Sequence, residues 1–203
     1  MPKIVIIDSG LGNIRSVQKG IEKTGCIAYI TTEAKEIREA DALILPGVGA
    51  FRDAINNIRP LSNAISEEVN SGKPLLGICL GLQLLFTEST EGGCYEGLNV
   101  LKGKIIRLPD TLKVPHMGWN SLKLVDFNNP IVREVPSNSY VYFVHSYYAE
   151  PKDQKEIVAL TDYGVDFASI VSRGHVFATQ FHPEKSGKVG LRILRNFVDY
   201  VKR

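Results

Sequence analysis

The stretch KPLLGICLGLQLLF, residues 73–86, places a cysteine between two glycines in an otherwise apolar run. Gly77 and Gly81 each cost a helix or a strand about 0.5–1 kcal/mol relative to alanine, so a purely structural element would avoid them. The pattern GICLG has a nucleophile flanked by glycines at i−2 and i+2, which in α/β enzymes marks a sharp turn between a strand and a helix. We therefore predict a strand over KPLLGI, a helix from Cys79 to about Glu88, and a reactive Cys79 at the turn between them.

The predicted position of Cys79 favours a role as a nucleophile for two reasons. A helix N-terminus favours the thiolate form of a cysteine. The carboxyl end of a parallel strand is also where open α/β sheets place their ligand sites. The alternative is a small apolar cysteine packed in the core, which is common for a cysteine in an apolar run.

The first half of the chain alternates short apolar runs with helical patterns. KIVIID, IAYIT, DALILPG and KPLLGI read as buried strands, and NIRSVQKGIEKTG, AFRDAINNI and LSNAISEEVNSG read as helices. From about residue 103 to 180 the apolar runs KIIRL, YVYFVHSYY, EIVALTDY and ASIVSRGHVFATQF predict added, partly antiparallel strands, and the chain ends in a helix. We predict an α/β fold over residues 1–203 as a single domain: an open, mostly parallel twisted sheet with helices on both faces, plus antiparallel strands.

Composition narrows the classes of function. The chain has 203 residues and a net charge of +2, with no run of five like charges, so nucleic acid is not an expected partner. No apolar run reaches 18 residues, so no membrane span is expected. Three cysteines without a CxxC pair suit a reducing compartment, and the N-terminus lacks the apolar region of a signal peptide, so we expect a cytoplasmic protein.

A cysteine nucleophile needs a base, and the segment FHPEKS offers one. His182 ends an apolar run, and in an extended chain Glu184 projects to the same face and can orient the imidazole, as the third member of a triad does. Pro183 between them predicts a strand end. The alternative is an exposed pair at a strand end. The other histidines, His116, His145 and His175, have no acid two residues on, and we expect no metal site because no HxH, HExxH or CxxC spacing occurs.

Backbone donors for an oxyanion are predicted at two turns. Leu80 follows the nucleophile, and the loop that contains Gly47, Val48 and Gly49 follows another parallel strand. Gln83 lies one helical turn after Cys79 and could bind a polar substrate, or simply cap an exposed part of the helix. The sequence GLG at residues 10–12 lacks the third glycine of a dinucleotide fingerprint, and KSGK is no P-loop, so no cofactor is expected.

The motifs GICLGLQLLF, PGVGAF and FHPEKS, in this order, resemble the class I (triad) glutamine amidotransferases along the whole chain. IDSGLGNIRSV, PGVGAF, VPHMGWN and YFVHSY further resemble the glutaminase subunits of imidazole glycerol phosphate synthases, which serve histidine biosynthesis. Ser9 departs from relatives, which often carry tyrosine there. The resemblance implies a heterodimer with a (β/α)8 cyclase subunit that makes imidazole glycerol phosphate and AICAR from the ammonia that glutamine releases.

The resemblance also assigns roles to residues. It implies that Cys79 is the nucleophile, His182 the base and acid, and Glu184 the orienting acid. It implies that the substrate glutamine is held by Gln83, Glu91, His145, Ser146 and Tyr147. It implies a partner-facing set made of Asn13, Pro115, His116, Met117, Gly118, Trp119, Tyr142 and Lys185. Trp119 could instead be a core aromatic residue.

Three other functions compete with this prediction. One is an amidotransferase subunit serving another pathway, such as pyridoxal phosphate synthesis, against which VPHMGWN argues. A second is a cysteine peptidase or esterase on a similar sheet. The third is a catalytically inactive regulatory subunit, which the intact Cys79, His182 and Glu184 argue against.

Overall fold

The computed structural model describes residues 1–12 and 14–203. Among these residues its strands, in chain order, are β1 (Ile4–Ile7), β2 (Ala28–Thr31), β3 (Ala42–Gly47), β4 (Leu75–Cys79), β5 (Glu88–Ser89), β6 (Tyr95–Glu96), β7 (Gly103–Arg107), β8 (His116–Ser121), β9 (Lys123–Leu124), β10 (Tyr140–His145), β11 (Tyr147–Pro151), β12 (Ile157–Asp162), β13 (Asp166–Arg173) and β14 (Val176–Thr179). The helices are α1 (Ile14–Glu22), α2 (Ala34–Glu39), α3 (Phe51–Ile58), α4 (Ser62–Asn70), α5 (Leu80–Leu84) and α6 (Gly187–Val201).

A twisted sheet of eight strands forms the centre of the molecule, in the order β2-β1-β3-β4-β14-β13-β12-β9. Neighbours from β2 to β14 pair in parallel, and β13, β12 and β9 extend the sheet with antiparallel pairs. The predicted fold class, a mostly parallel sheet with added antiparallel strands, is confirmed.

Helices cover both faces because the central strands are apolar on both faces. β1, β3 and β4 are buried at every position, as expected for parallel strands between two layers of helix. Successive side chains point to opposite faces: Ile4 and Ile6 pack in one cluster with α1 and α6, whereas Val5 and Ile7 pack in the other with α2, α3, α4 and α5.

Two smaller sheets lie beside the central one. β8 and β10 pair antiparallel, with Trp119 opposite Tyr142 and His116 opposite His145. β11, β7, β5 and β6 form the other sheet. The predicted run YVYFVHSYY is therefore two strands, because the chain changes partner from β8 to β7 around Ser146.

Two boundaries differ from the prediction for identifiable reasons. The helix after Cys79 ends at Leu84, not near Glu88, because residues 98–101 return to it. The N–H groups of residues 98, 99 and 101 donate to the carbonyls of residues 84, 86 and 85. The strand before His182 ends at Thr179, and residues 183–185 form a 3₁₀ turn rather than a strand end. The helix α2 was not predicted. Among the described residues no helix is long and apolar enough to cross a bilayer.

Candidate active site

The turn at Cys79 explains the two glycines of the opening stretch. Cys79 ends β4 and precedes α5 with φ 55° and ψ −111°, a conformation that costs about 1–3 kcal/mol for a non-glycine residue. A Cβ on Gly81 would lie 1.7 Å from the Leu45 carbonyl oxygen, and one on Gly77 would lie 2.9 Å from the Leu85 side chain. The glycines therefore let α5 pack directly on the sheet while the strained turn holds the thiol at its edge.

The carboxyl edge of three neighbouring parallel strands brings the site together. In the sheet β4 lies between β3 and β14, and its Cys79 pairs with Gly47 of β3. On the other side Ile78 pairs with Thr179, so Gln180 follows beside Cys79. His182 and Glu184 come next in the chain, which places the predicted triad residues at one edge of the sheet.

The predicted base and acid form a buried pair. His182 Nδ1 lies 2.8 Å from Glu184 Oε1, and each side chain is only 3% exposed. The pair is therefore not the exposed strand-end pair that was the alternative. Although residues 183–185 form a 3₁₀ turn rather than extended chain, the i and i+2 side chains still meet.

The charge state of His182 depends on its two neighbours. Burial lowers the pKa of His182, but the hydrogen bonds and charges of Cys79 and Glu184 outweigh burial and raise the pKa to about 9. At neutral pH the imidazolium is therefore the dominant form. A positively charged ring therefore lies beside the Cys79 sulfur.

The second ring nitrogen of His182 is free to exchange a proton with the thiol. Nε2 is buried and, among the described residues, has no hydrogen-bond partner of ordinary geometry. Cys79 is nevertheless close enough to raise the pKa of the ring. Catalytic hydrogen bonds are often long or poorly aligned without a substrate, so the unpaired Nε2 remains available to the Cys79 sulfur.

A cavity of about 200 Å³ opens at Cys79. It is lined by Val48, Gly49, Cys79, Leu80, Gln83, Glu91, Pro115, Val144, His145, Ser146 and Tyr147. The structure therefore brings every residue predicted to hold the substrate to the same cavity as the nucleophile. Pro115, predicted to face a partner, also lines it.

Two of these residues carry polar groups with fixed partners. Gln83 is 5% exposed, so it does not cap an exposed helix end, and its Nε2 donates to the Tyr147 carbonyl at 2.9 Å. Glu91 Oε2 accepts from the Phe51 N–H at 2.9 Å, at the first turn of α3. Both side chains carry oxygens that can accept hydrogen bonds, which suits a small polar ligand that carries donors.

Three of the four residues predicted to supply oxyanion donors line the cavity, and one does not. Leu80 begins α5, and Val48 and Gly49 line the cavity, with Gly49 at φ +101°. Gly47 is instead a buried strand residue paired with Cys79 and is not among the residues that line this cavity, and its role in the oxyanion hole stays a prediction.

The predicted partner-facing set is largely exposed. Met117 is 63% and Trp119 56% exposed, so Trp119 is not a core residue. The Trp119 ring packs edge-on against Tyr142, with centroids 6.0 Å apart. Pro115 and Lys185 are exposed, and Tyr142 and Gly118 are half-buried, whereas the predicted Asn13 lies outside the described residues.

His116 is a correction to the predicted set. Its ring is 3% exposed and stacks between Phe143 and Tyr163, with centroids 4.9 Å and 4.0 Å away. Burial lowers the pKa of His116 to about 4, so the ring is neutral. This side chain lies behind the exposed face, because its strand alternates inward and outward positions.

Two residues near the triad were not predicted from the sequence. Gln180 is fully buried, and its Nε2 lies 3.9 Å from the Cys79 sulfur. Ser186 Oγ donates to the His182 carbonyl at 2.6 Å and accepts from the Tyr142 N–H at 2.9 Å. A polar residue inside the apolar run HVFATQF was the available sign of Gln180.

Comparison with known proteins identifies the family of the chain. Residues 5–201 match the family model described as glutamine amidotransferase class-I. The chain is 52% identical over 202 residues to the imidazole glycerol phosphate synthase subunit HisH of Methanosarcina barkeri, covering 98% of this chain and 99% of that protein. It is 49% identical over 206 residues to the protein of that name from Geobacter sulfurreducens, covering 97% and 98% of the two chains.

Solved structures show the same fold at low identity. The structure of PurLQS from Thermotoga maritima matches with a TM-score of 0.79 at 18% identity, covering 98% of both chains. A glutamine amidotransferase crystal structure matches with a TM-score of 0.77 at 21% identity, covering 98% and 99% of the two chains. With a family match over nearly its whole length and relatives half identical to it, the chain belongs to the class I glutamine amidotransferases, in the family of imidazole glycerol phosphate synthase subunit HisH.

Proposed function

We propose that the chain hydrolyses L-glutamine to glutamate and ammonia, and that the ammonia serves a cyclase subunit making imidazole glycerol phosphate and AICAR in histidine biosynthesis. The observation that carries the proposal is the buried His182–Glu184 pair beside the strained Cys79 turn. Its relatives named as imidazole glycerol phosphate synthase subunits support the pathway.

The reaction needs only groups of this chain and water. The Cys79 thiolate attacks the side-chain carbonyl carbon of glutamine, and the N–H groups of Leu80 and the Val48–Gly49 turn receive the negative oxygen. His182 gives its proton to the leaving nitrogen, ammonia departs, and a glutamyl thioester remains. His182 then takes a proton from water, the hydroxide attacks the thioester, and glutamate leaves. Glu184 holds Nδ1 throughout.

We propose that the exposed face with Met117, Trp119 and Tyr142 receives the partner, a (β/α)8 cyclase, in a heterodimer. Large exposed apolar and aromatic side chains at one site are typical of interfaces. Direct transfer across that contact protects ammonia from protonation in water. We also propose a cytoplasmic location, which the free cysteines Cys26, Cys79 and Cys94 support.

We further propose that the partner switches on glutamine hydrolysis through the Val48 peptide. A Cβ on Gly12 would lie 3.4 Å from the Val48 nitrogen, so the loop before α1 packs against this peptide. Gly49 follows at φ +101°, a region that glycine enters freely, so the peptide can rotate at low cost. One aligned oxyanion donor is worth about 10²–10³ in rate.

Steady-state glutaminase rates test the function and the switch together. Rates are measured for the chain alone, for the chain with the cyclase, and for the chain with the cyclase and its substrate. We expect a low rate for the chain alone and a higher rate in the last of these three mixtures. Cys79→Ala should lower the rate by about 10⁴-fold or more, while its complex still forms imidazole glycerol phosphate from ammonium salts. Equal rates in all three mixtures would refute the switch, and hydrolysis by Cys79→Ala would refute the nucleophile. Cleavage of peptides without glutamine turnover would favour a peptidase.

A further inference from the structure

Gln180 lies where the nucleophile and the substrate side of the cavity meet. It follows β14 and stands beside Cys79 at the end of β4. The side chain is fully buried, and its amide contacts two groups: Nε2 lies 3.9 Å from the Cys79 sulfur, and Oε1 lies 3.3 Å from Gln83 Nε2. A buried amide is costly unless its groups are paired, so these contacts account for its presence.

The Tyr147 carbonyl sets the direction of these hydrogen bonds. A carbonyl oxygen only accepts, and it has two lone pairs. Gln83 Nε2 donates to one at 2.9 Å, and His145 Nδ1 lies 2.9 Å away on the other. Burial lowers the pKa of His145 to about 3, so the ring is neutral and its proton is on Nδ1. Neither partner can turn an acceptor toward this oxygen without losing a hydrogen bond.

The orientation of the Gln83 amide in turn fixes the orientation of the Gln180 amide. With Nε2 of Gln83 shared between the Tyr147 carbonyl and Gln180 Oε1, both of its hydrogens are used. Gln180 therefore presents its own Nε2, a donor, to the Cys79 sulfur. Gln83 keeps only Oε1, an acceptor, to offer to a ligand in the cavity that it lines.

We propose that Gln180 is a positioning residue that fixes the orientation of the Gln83 amide, and so makes the site select a carboxamide over a carboxylate, while its N–H group stabilises the sulfur anion of Cys79. A carboxamide NH₂ can donate to Gln83 Oε1, whereas an ionised carboxylate has no donor and meets an unpaired, repelling oxygen. The selectivity part rests on the proposed function, since it names glutamine as substrate and glutamate as product. The contact with the sulfur does not depend on it.

Alkylation tests the contact with Cys79 without any turnover. Cys94 is exposed and Cys26 is buried, so a Cys94→Ser background leaves Cys79 as the thiol in the cavity. Gln180→Met keeps the volume and removes both hydrogen-bonding groups. In this background we expect iodoacetamide to modify Cys79 about tenfold more slowly at pH 7 in Gln180→Met, the value of one hydrogen bond to an ion. Peptide mass spectrometry identifies the modified residue.

Inhibition by glutamate tests the selectivity. The ratio of the inhibition constant of L-glutamate to the KM of L-glutamine should fall about tenfold in Gln180→Met, because the Gln83 amide is free to turn its NH₂ group toward a carboxylate. Asn196→Leu is the matched control. It removes another buried amide, which donates to the Ile131 and Arg133 carbonyls far from the cavity. It should lower stability without changing the ratio or the alkylation rate.

The outcomes separate this inference from the proposed function. If the wild-type complex hydrolyses glutamine and Gln180→Met matches it in both measurements, the inference is wrong. If the wild-type complex does not hydrolyse glutamine, the proposed function and the selectivity fail, and alkylation alone decides the role at the sulfur. Should Gln180→Met not fold, Gln180→Glu replaces it: its carboxylate still accepts from Gln83 but cannot donate to Cys79. Slower alkylation with an unchanged ratio is then expected, and unchanged alkylation would overturn the inference.

Discussion

Replacing Glu184 with glutamine removes a charge from beside His182 while keeping an oxygen for Nδ1 to donate to. In the native chain the pKa of His182 stands at about 9 against an ordinary 6.5, which at about 1.4 kcal/mol per pH unit corresponds to about 3 kcal/mol in favour of the imidazolium. Cys79 and Glu184 supply this together, against burial. Loss of the nearby charge should lower the pKa of His182 by about 1–3 pH units.

The pH profile of kcat/KM measures this change, because it reports the ionising groups of the free enzyme. We expect the rate of the wild-type complex to fall as pH rises through about 9, where His182 loses the proton that the leaving ammonia needs. In Glu184→Gln the same fall should begin at lower pH. Glu150→Gln, whose side chain pairs with Lys104 at the surface, is the control and should leave the profile unchanged.

The free energy of unfolding should also fall as pH rises. Because folding raises the pKa of His182, its contribution is fully present below pH 6.5 and is lost as pH rises through about 9. Between pH 6 and pH 10, urea unfolding should therefore show a smaller loss of unfolding free energy in Glu184→Gln than in the wild type. Superimposable pH profiles for the two proteins would refute the assigned role of Glu184. His182→Ala should lower activity more than Glu184→Gln, because Glu184 orients the ring and does not itself move protons. If Glu184→Gln folds but is as inactive as Cys79→Ala, this division of roles is wrong.

Three further predictions concern the frame of the site. Gly81→Ala should destabilise the chain by about 3 kcal/mol or more, because its Cβ would overlap the Leu45 carbonyl; an unchanged melting temperature would contradict the packing at the turn. Ser186→Ala should cost about 1–3 kcal/mol in urea unfolding and lower kcat more than it raises KM, since the His182 carbonyl and the Tyr142 N–H lose their shared partner; equal effects on kcat and KM would argue against positioning. Trp119→Ala should weaken binding to the cyclase by about tenfold or more, as an exposed interface aromatic does, and leave the unfolding curve unchanged; titration calorimetry that finds wild-type affinity would remove this face from the interface.

The sequence predicted the parts of the fold that rest on local patterns. Apolar strands such as KIVIID and KPLLGI, and glycines at i−2 and i+2 of Cys79, have a direct meaning in terms of burial and close approach. The mostly parallel sheet followed from the alternation of strands and helices, and the added antiparallel strands followed from the short apolar runs after residue 103. The order of the strands in the sheet was not predicted. The length of α5 did not, because residues 98–101 end it through contacts that no local pattern records.

The site divides in the same way. Cys79, His182 and Glu184 were predicted together because of their spacing, and the structure brings them to one edge of the sheet. Gln180 was not, because its role depends on β14 lying beside β4, and on the direction of hydrogen bonds that begin at the Tyr147 carbonyl. His116 was assigned to the wrong side of its strand, since the alternation HMGW does not show which face is buried. Pairings between distant segments thus decided what the sequence left open.

The main-chain hydrogen bonds that hold His182 have a consequence for engineering the exposed face that contains Tyr142. The His182 N–H donates to the Tyr142 carbonyl at 3.0 Å, and the Tyr142 N–H donates to Ser186, so the proposed catalytic base is held by main-chain atoms of β10. Every amino acid except proline supplies those atoms. The side chain of Tyr142 can therefore be varied in a library to accept new protein partners, with proline excluded, and the base should keep its place while the partner changes.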